Sequence, residues 1–200
     1  MAGLTTTAAG HGKEMVWIEF DFRDFYRMLR AGEAYQPAAA KVINKGASRT
    51  RTAIIRDVAK TARISPQRLI RQRMRLKGAT RNRLVARLGI LTKAIPVTSL
   101  SRTRDTRKKT YDPTGQGVYT GGGRHFPKAF IARGRERQAL HAFERTGSAR
   151  KPLRVHKVAV KELVERILPE KLRTVGLPYV KKNIVSQIMF EMNRGSRLSR

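Results

Sequence analysis

The chain has 200 residues, no cysteine, and 44 Lys and Arg against 14 Asp and Glu, a formal net charge of +30. Without cysteine there is no disulfide framework, no thiolate metal site, no iron–sulfur cluster and no thiol nucleophile. A basicity this high implies a polyanionic partner, an acidic protein partner, or both.

Residues 1–14 are rich in Gly, Thr and Ala and read as a flexible arm. They hold no apolar core of a secretory signal, and nowhere does the chain approach the ~18 apolar residues of a membrane span. A soluble protein made in the cytoplasm is expected. From Met15 to Phe22, Val16, Ile18, Phe20 and Phe22 alternate with Trp17, Glu19 and Asp21, a strand pattern. Asp24 to Ala34 turns helical, with Phe25, Met28 and Leu29 on one face.

Pro37 opens the clearest helix. Ala39, Ile43, Ala47, Thr50, Ile54 and Val58 recur at helical spacing, widened by Val42 and Ile55, to about Ala62. Ile64-Ser65-Pro66 breaks it, with Ser65 as the next N-cap. A second helix is expected from Gln67 to Lys77, with Leu69, Ile70 and Leu76 inward and Gly78 as its stop. Its Arg68, Arg71 and Arg75 would share one face.

From Arg83 the period switches to two. Leu84–Leu91 and Ala94–Leu100 read as strands, the second an edge or bent strand because of Pro96. Residues 101–123 read as a long basic loop with almost no core residues. Phe126–Gly134, Gln138–Arg145 and Leu153–Val158 are further strand candidates. Two amphipathic helices close the chain. Val160, Leu163, Val164, Ile167 and Leu168 line the first, which Pro169 interrupts, and Val180, Ile184, Ile188 and Met192 line the second. Residues 195–200 should fray. Helices separated from a run of strands predict an α+β fold. Its antiparallel sheet packs against a long N-terminal helix and C-terminal helices, in one domain over 15–194.

The charge is uneven. Residues 1–35 carry four basic and five acidic groups, 36–157 carry 31 and five, and 158–200 carry nine and four. An end of the chain is therefore placed to pair with the basic middle, within the chain or between subunits.

Catalytic, metal and cofactor sites find no support. His11, His125, His141 and His156 lack metal-ligand spacing and read as packing or surface residues, and no nucleophile elbow or phosphate-binding loop occurs. Gly121-Gly122-Gly123 does not lie between a strand and a helix, so it reads as a flexible tip or tight turn. The carboxylates are too sparse for a metal-dependent nuclease.

What remains is two basic clusters. Arg68, Arg71, Arg73, Arg75 and Lys77 form one, and Arg102, Arg104, Arg107, Lys108 and Lys109 the other. Guanidinium groups bind phosphate bidentately and hold their charge. With only Tyr111 and Tyr119 nearby, stacking on single strands is poorly served. Contacts to nucleic acid should therefore be to duplex backbone and nonspecific.

Four stretches carry a resemblance: AAAKVINKGASRTRTAIIRDVAKTARI, RQRMRLKGAT, HFPKAFIARG and LPEKLRTVGLPYVKKNIVSQIMFEMNR. In this order and spacing, over roughly residues 36–194, the chain resembles the minor tail protein Z family of lambda-like long-tailed phages. The resemblance implies a virion structural protein with no catalytic residues. It would act in tail completion at the head-proximal end of a non-contractile tail, after synthesis in the host cytoplasm.

It further implies a homo-hexameric ring, next to tail terminator or tail tube proteins and head–tail connector proteins, around a lumen that double-stranded DNA crosses. Arg71, Arg73, Arg75 and Lys77 would be lumen or partner contacts, and Phe130 and Ile131 core. The other reading of the charge is a free, nonspecific nucleic-acid-binding protein. It lacks the aromatics and motifs of RNA-binding modules.

Overall fold

A computed structural model of the chain describes residues 15–21, 36–100, 103–105, 117–120, 122–133, 140–147 and 153–198. The arm expected over 1–14 and the helix expected from Asp24 to Ala34 lie outside them. The first strand, β1, covers Met15–Asp21. It is followed by α1, Gln36–Thr61, the single-turn α2, Arg68–Arg71, and β2, Met74–Lys77. Next come β3, Val85–Leu91, and the short β4, Ile95–Pro96, which bends into a 3-10 turn at Val97–Ser99.

The expected loop is closed at its base, where β5, Arg104–Asp105, pairs with β6, Val118–Tyr119, and β6 with β7, His125–Phe126. A second antiparallel sheet holds β8, Ala129–Arg133, β9, Leu140–Arg145, and β10, Leu153–Val155, in the order β10-β9-β8. β11, Lys157–Val158, returns to pair with β4. α3, Lys161–Lys171, passes through a π-helical stretch, Leu172–Gly176, into α4, Leu177–Leu198. The fold is α+β with antiparallel strands, as the order of patterns in the sequence predicts.

α1 is the spine. Its predicted stripe, Ala39, Ile43, Ala47, Thr50, Ile54 and Val58, is buried, and the Thr50 hydroxyl donates to the Gly46 carbonyl at 2.9 Å. The helix stops in a double bond pattern: Ile64 N–H donates to Ala59 O at 2.8 Å and Arg63 N–H to Lys60 O at 3.2 Å. Arg63 takes the left-handed position at φ 49° that glycine usually fills. Buried Ile64 turns inward just after it.

The first sheet, ordered β1-β3-β2, covers one flank of α1. Its register aligns Val16, Ile90 and Met74 in one row and Leu88 beside Leu76 in the next. These residues join the buried stripe of α1 in one core.

α3 and α4 lie antiparallel along another flank. Lys171 meets Asp57 at 2.6 Å, Val180 packs on Gly46, and Lys41 meets Glu191 at 2.8 Å. A Cβ on Gly46 would sit 2.5 Å from Val180 Cγ2, so the absence of a side chain sets the approach of the two helices. The C-terminal segment thus supplies one acid, Glu191, to the basic middle, while Asp57 on α1 answers the lysine at position 171.

Three expectations are corrected. The helix expected from Gln67 to Lys77 lasts one turn, and Met74–Lys77 is a strand. Met74 is buried and Leu76 half-buried while Arg75 and Lys77 are exposed, so the period there is two and β3 supplies the partner. Gln67, not Ser65, stands before α2, with no side-chain cap bond, and Gly78 follows a strand rather than a helix.

Pro169 does not interrupt its helix. Buried Ile167, Leu168 and Leu172 flank it, and their packing outweighs the one bond that proline removes. The expected strand Ala94–Leu100 shrinks to two residues. Within the expected loop, Val118 is fully buried.

The Lys171 ammonium donates to Asp57 and also meets Glu170 at 3.1 Å, and these hydrogen bonds, Asp57 first, raise its pKa above the ordinary lysine value. A raised pKa stabilises the fold fully below the unfolded-state value and loses that contribution as pH climbs through the folded-state value. Above about pH 10.4, thermal midpoints of the wild-type chain should therefore fall more steeply than those of Asp57→Asn. Parallel curves would refute the coupling.

Candidate nucleic-acid interface

The first basic cluster is split over two structures. Arg68 and Arg71 are exposed on α2 and its end, whereas Arg75 and Lys77 are exposed on β2. The single helical face expected for Arg68, Arg71 and Arg75 does not form, because β2 turns Arg75 onto the sheet. The strand register instead sets Arg75 opposite Gly89 and Lys77 opposite Arg87. With Met74, Leu76, Leu88 and Ile90 directed to the core, Arg75, Lys77 and Arg87 share the opposite face of the sheet.

Gly89, between them in the row, adds no bulk. Glu19 stands opposite Arg87 in the register with β1. Arg87 was visible in the sequence as an out-of-phase residue in an apolar strand. Its place beside Lys77 depends on a register the sequence does not display.

Backbone bonds hold the cluster in position. Arg51 of α1 donates through Nη2 to the carbonyls of Arg71 at 3.3 Å and Met74 at 3.4 Å, spanning the turn between α2 and β2. The Asn44 amide clamps the far end of β2: its Oδ1 accepts from Ala79 N–H at 2.7 Å and its Nδ2 donates to Ala79 O at 2.9 Å. A Cβ on Gly78 would lie 2.9 Å from that Oδ1.

Arg73 is half-buried and donates through Nη1 to the Lys93 carbonyl, while its own carbonyl accepts from Leu91 N–H at 2.9 Å. Burial lowers its pKa, yet a guanidinium keeps its proton in a protein. Arg73 therefore ties β2 to the end of β3, and Arg68, Arg71, Arg75 and Lys77 are the exposed members of the cluster.

In the second cluster, Arg104 lies in β5 with its backbone paired to Tyr119. Arg102, Arg107, Lys108 and Lys109 lie outside the described residues. The base of this loop is fixed to the end of α1. Gly122 lies against the Arg63 carbonyl, where a Cβ would come within 2.0 Å of the oxygen. Arg124 Nε donates to Ala62 O at 3.0 Å, which places a cation on the negative end of the helix. Gly123, at φ 75°, makes the turn, and its N–H donates to Thr120 O at 3.0 Å. Gly122 and Gly123 thus belong to a tight turn seated on a helix terminus, and Gly121 lies outside the described residues.

The three described histidines pack, and His11 lies outside the described residues. His125 stacks on Tyr119 at 4.1 Å, His141 stands edge-on to Phe143, and His156 lies 4.9 Å from the Phe126 ring and 2.9 Å from Glu144 Oε2. Phe130 packs against Phe143 and Ile131 against the core, both half-buried rather than central. Among the described residues no group of three or more His, Cys, Asp or Glu could hold a metal, and no helix is long and apolar enough to cross a membrane. What the arrangement offers chemically is fixed positive charge on a rigid sheet.

A family model described as prophage minor tail protein Z (GPZ) matches residues 30–197. No curated protein and no solved structure matches the chain.

Proposed function

Because the chain belongs to the minor tail protein Z family, whose members are structural proteins of phage tails, we propose that it completes a non-contractile tail at the head-proximal end. There it forms a homo-hexameric ring between tail terminator or tube proteins and the head–tail connector. Double-stranded DNA passes through the ring.

The observation that carries this reading is the arrangement of charge. Asp57, Glu170 and Glu191 are each engaged by a lysine of the same chain. Meanwhile Arg68, Arg71, Arg75 and Lys77 stand exposed on a backbone-braced strand and turn. Exposed cations of this kind hold duplex phosphates without reading sequence. Each contact is weak in salt, so DNA is retained and still released at ejection.

Immunogold labelling of purified virions with an antibody to this chain tests the placement. Label confined to the head–tail junction is the expected result. Virions free of the chain, with label only in the lysate, would overturn it and leave a free DNA-binding protein.

A further inference from the structure

The exposed positions of α1 form one stripe. From its second turn they are Lys41, Lys45, Ser48, Arg49, Thr52, Arg56 and Lys60, up to the final residue Thr61. The steps of three and four residues keep them on one face, and the stripe from Lys41 to Lys60 is about 28 Å long at 1.5 Å per residue. Every long side chain on it is a cation, and the acid of this helix, Asp57, is turned away to Lys171. Lys41 meets Glu191, and Arg49 lies flat over the Tyr179 ring at 4.2 Å. The side chains of Lys45, Arg56 and Lys60 make no ion pair or hydrogen bond among the described residues.

We propose that this stripe of α1 is a second polyanion-binding surface, distinct from the β2 cluster, and that its ligand is the phosphate backbone of duplex DNA. The chemistry separates this ligand from an acidic protein. Protein interfaces are anchored by buried aromatic and apolar side chains and are depleted in lysine. This face has no apolar anchor, and it interleaves lysine and arginine with two hydroxyls, the donor set of phosphate contacts. Its length equals the axial rise of about eight base pairs at about 3.4 Å each. The core side of α1 is packed, so the backbone that carries the stripe is fixed before binding.

The proposal rests on DNA as the ligand in the function above. Its test separates the two. Binding of a short mixed-sequence duplex to the full chain is measured over a series of salt concentrations. The triple variant Lys45→Gln, Arg56→Gln, Lys60→Gln is compared with Arg145→Gln, Arg154→Gln, Lys157→Gln, which removes the same charge from exposed positions on β9, β10 and β11. Circular dichroism verifies that both fold.

The stripe variant should lose about 2.7 from the slope of log affinity against log salt, at about 0.9 per phosphate contact, and the control less than about 1. Equal losses in both variants, or none in the first, would overturn the stripe and leave DNA as the ligand. Loss of polyglutamate binding with duplex binding unchanged would overturn it in favour of an acidic protein. A wild-type chain with no affinity for duplex would overturn the stripe and the DNA channel together, leaving the tail placement to the labelling experiment.

Discussion

A Gly122→Ala chain should unfold at a markedly lower denaturant concentration than wild type. The new methyl would lie 2.0 Å from the Arg63 carbonyl oxygen, and backbone cannot yield as a side-chain tip can. The turn at 120–124 must lift, and with it goes the 3.0 Å bond from Arg124 Nε to Ala62 O. Overpacking costs about 1–3 kcal/mol, and a hydrogen bond from a charged donor contributes about 1.5–3 kcal/mol. A loss near 3 kcal/mol is therefore expected. Arg124→Ala, which removes the bond and leaves the glycine contact, should cost about half of that. Denaturant titration of both variants checks the pair, and amide hydrogen exchange should show the loss of protection concentrated in residues 117–126. A Gly122→Ala chain within about 0.5 kcal/mol of wild type would refute the close approach.

Leu88→Ala should cost about 2–5 kcal/mol, the range for emptying a packed aliphatic site. Leu88 is fully buried in the central strand, opposite Ile18 and Leu76. In a domain whose whole stability is of order 5–15 kcal/mol, that is enough to make folding marginal at physiological temperature. Arg75→Ala, on the exposed face of the neighbouring strand, should change stability by less than about 0.5 kcal/mol. Together the two variants test the register, because a one-residue slip of β2 would exchange its buried and exposed faces. A costly Arg75→Ala would refute the pairing of Arg75 with Gly89.

Sequence pattern specifies secondary structure here where one period runs long enough to exclude the other. α1 is the clear case: 26 residues with a 3.6-residue stripe admit no strand. β1 alternates over seven residues, and β3 places buried Ala86, Leu88 and Ile90 at alternate positions. Over RQRMRLK the pattern was too short to decide. Leu69, Ile70 and Leu76 fit a helix face, while Met74 and Leu76 fit a strand face. The edge of β3 settled it, since an unpaired central strand would leave its backbone groups without partners. Pro169 misled for a similar reason, because a local rule was outweighed by burial against α1.

The candidate site was legible as residue types and not as an arrangement. Arg75 and Lys77 could be singled out from composition, but Arg87 joins them only across strands, and Arg51 and Asn44 brace them from a helix more than twenty residues earlier in the chain. The exposed stripe of α1 is masked in the sequence because the apolar side of the same helix carries the stronger signal.

By itself the sequence determined the charge, the absence of thiol chemistry, the α+β class, the spine helix and the family. All but the family are properties of composition or of short-range period, and the family lies in the order and spacing of four stretches. The tertiary structure decided which cations stand together, which one is tied to backbone, and that the glycine turn is seated on the end of α1. Those relations depend on contacts between residues far apart in the chain. Such contacts form because burying Leu88, Ile90 and the stripe of α1 removes apolar surface from water, which fixes the register of the strands and, with it, the place of every charge on the opposite face.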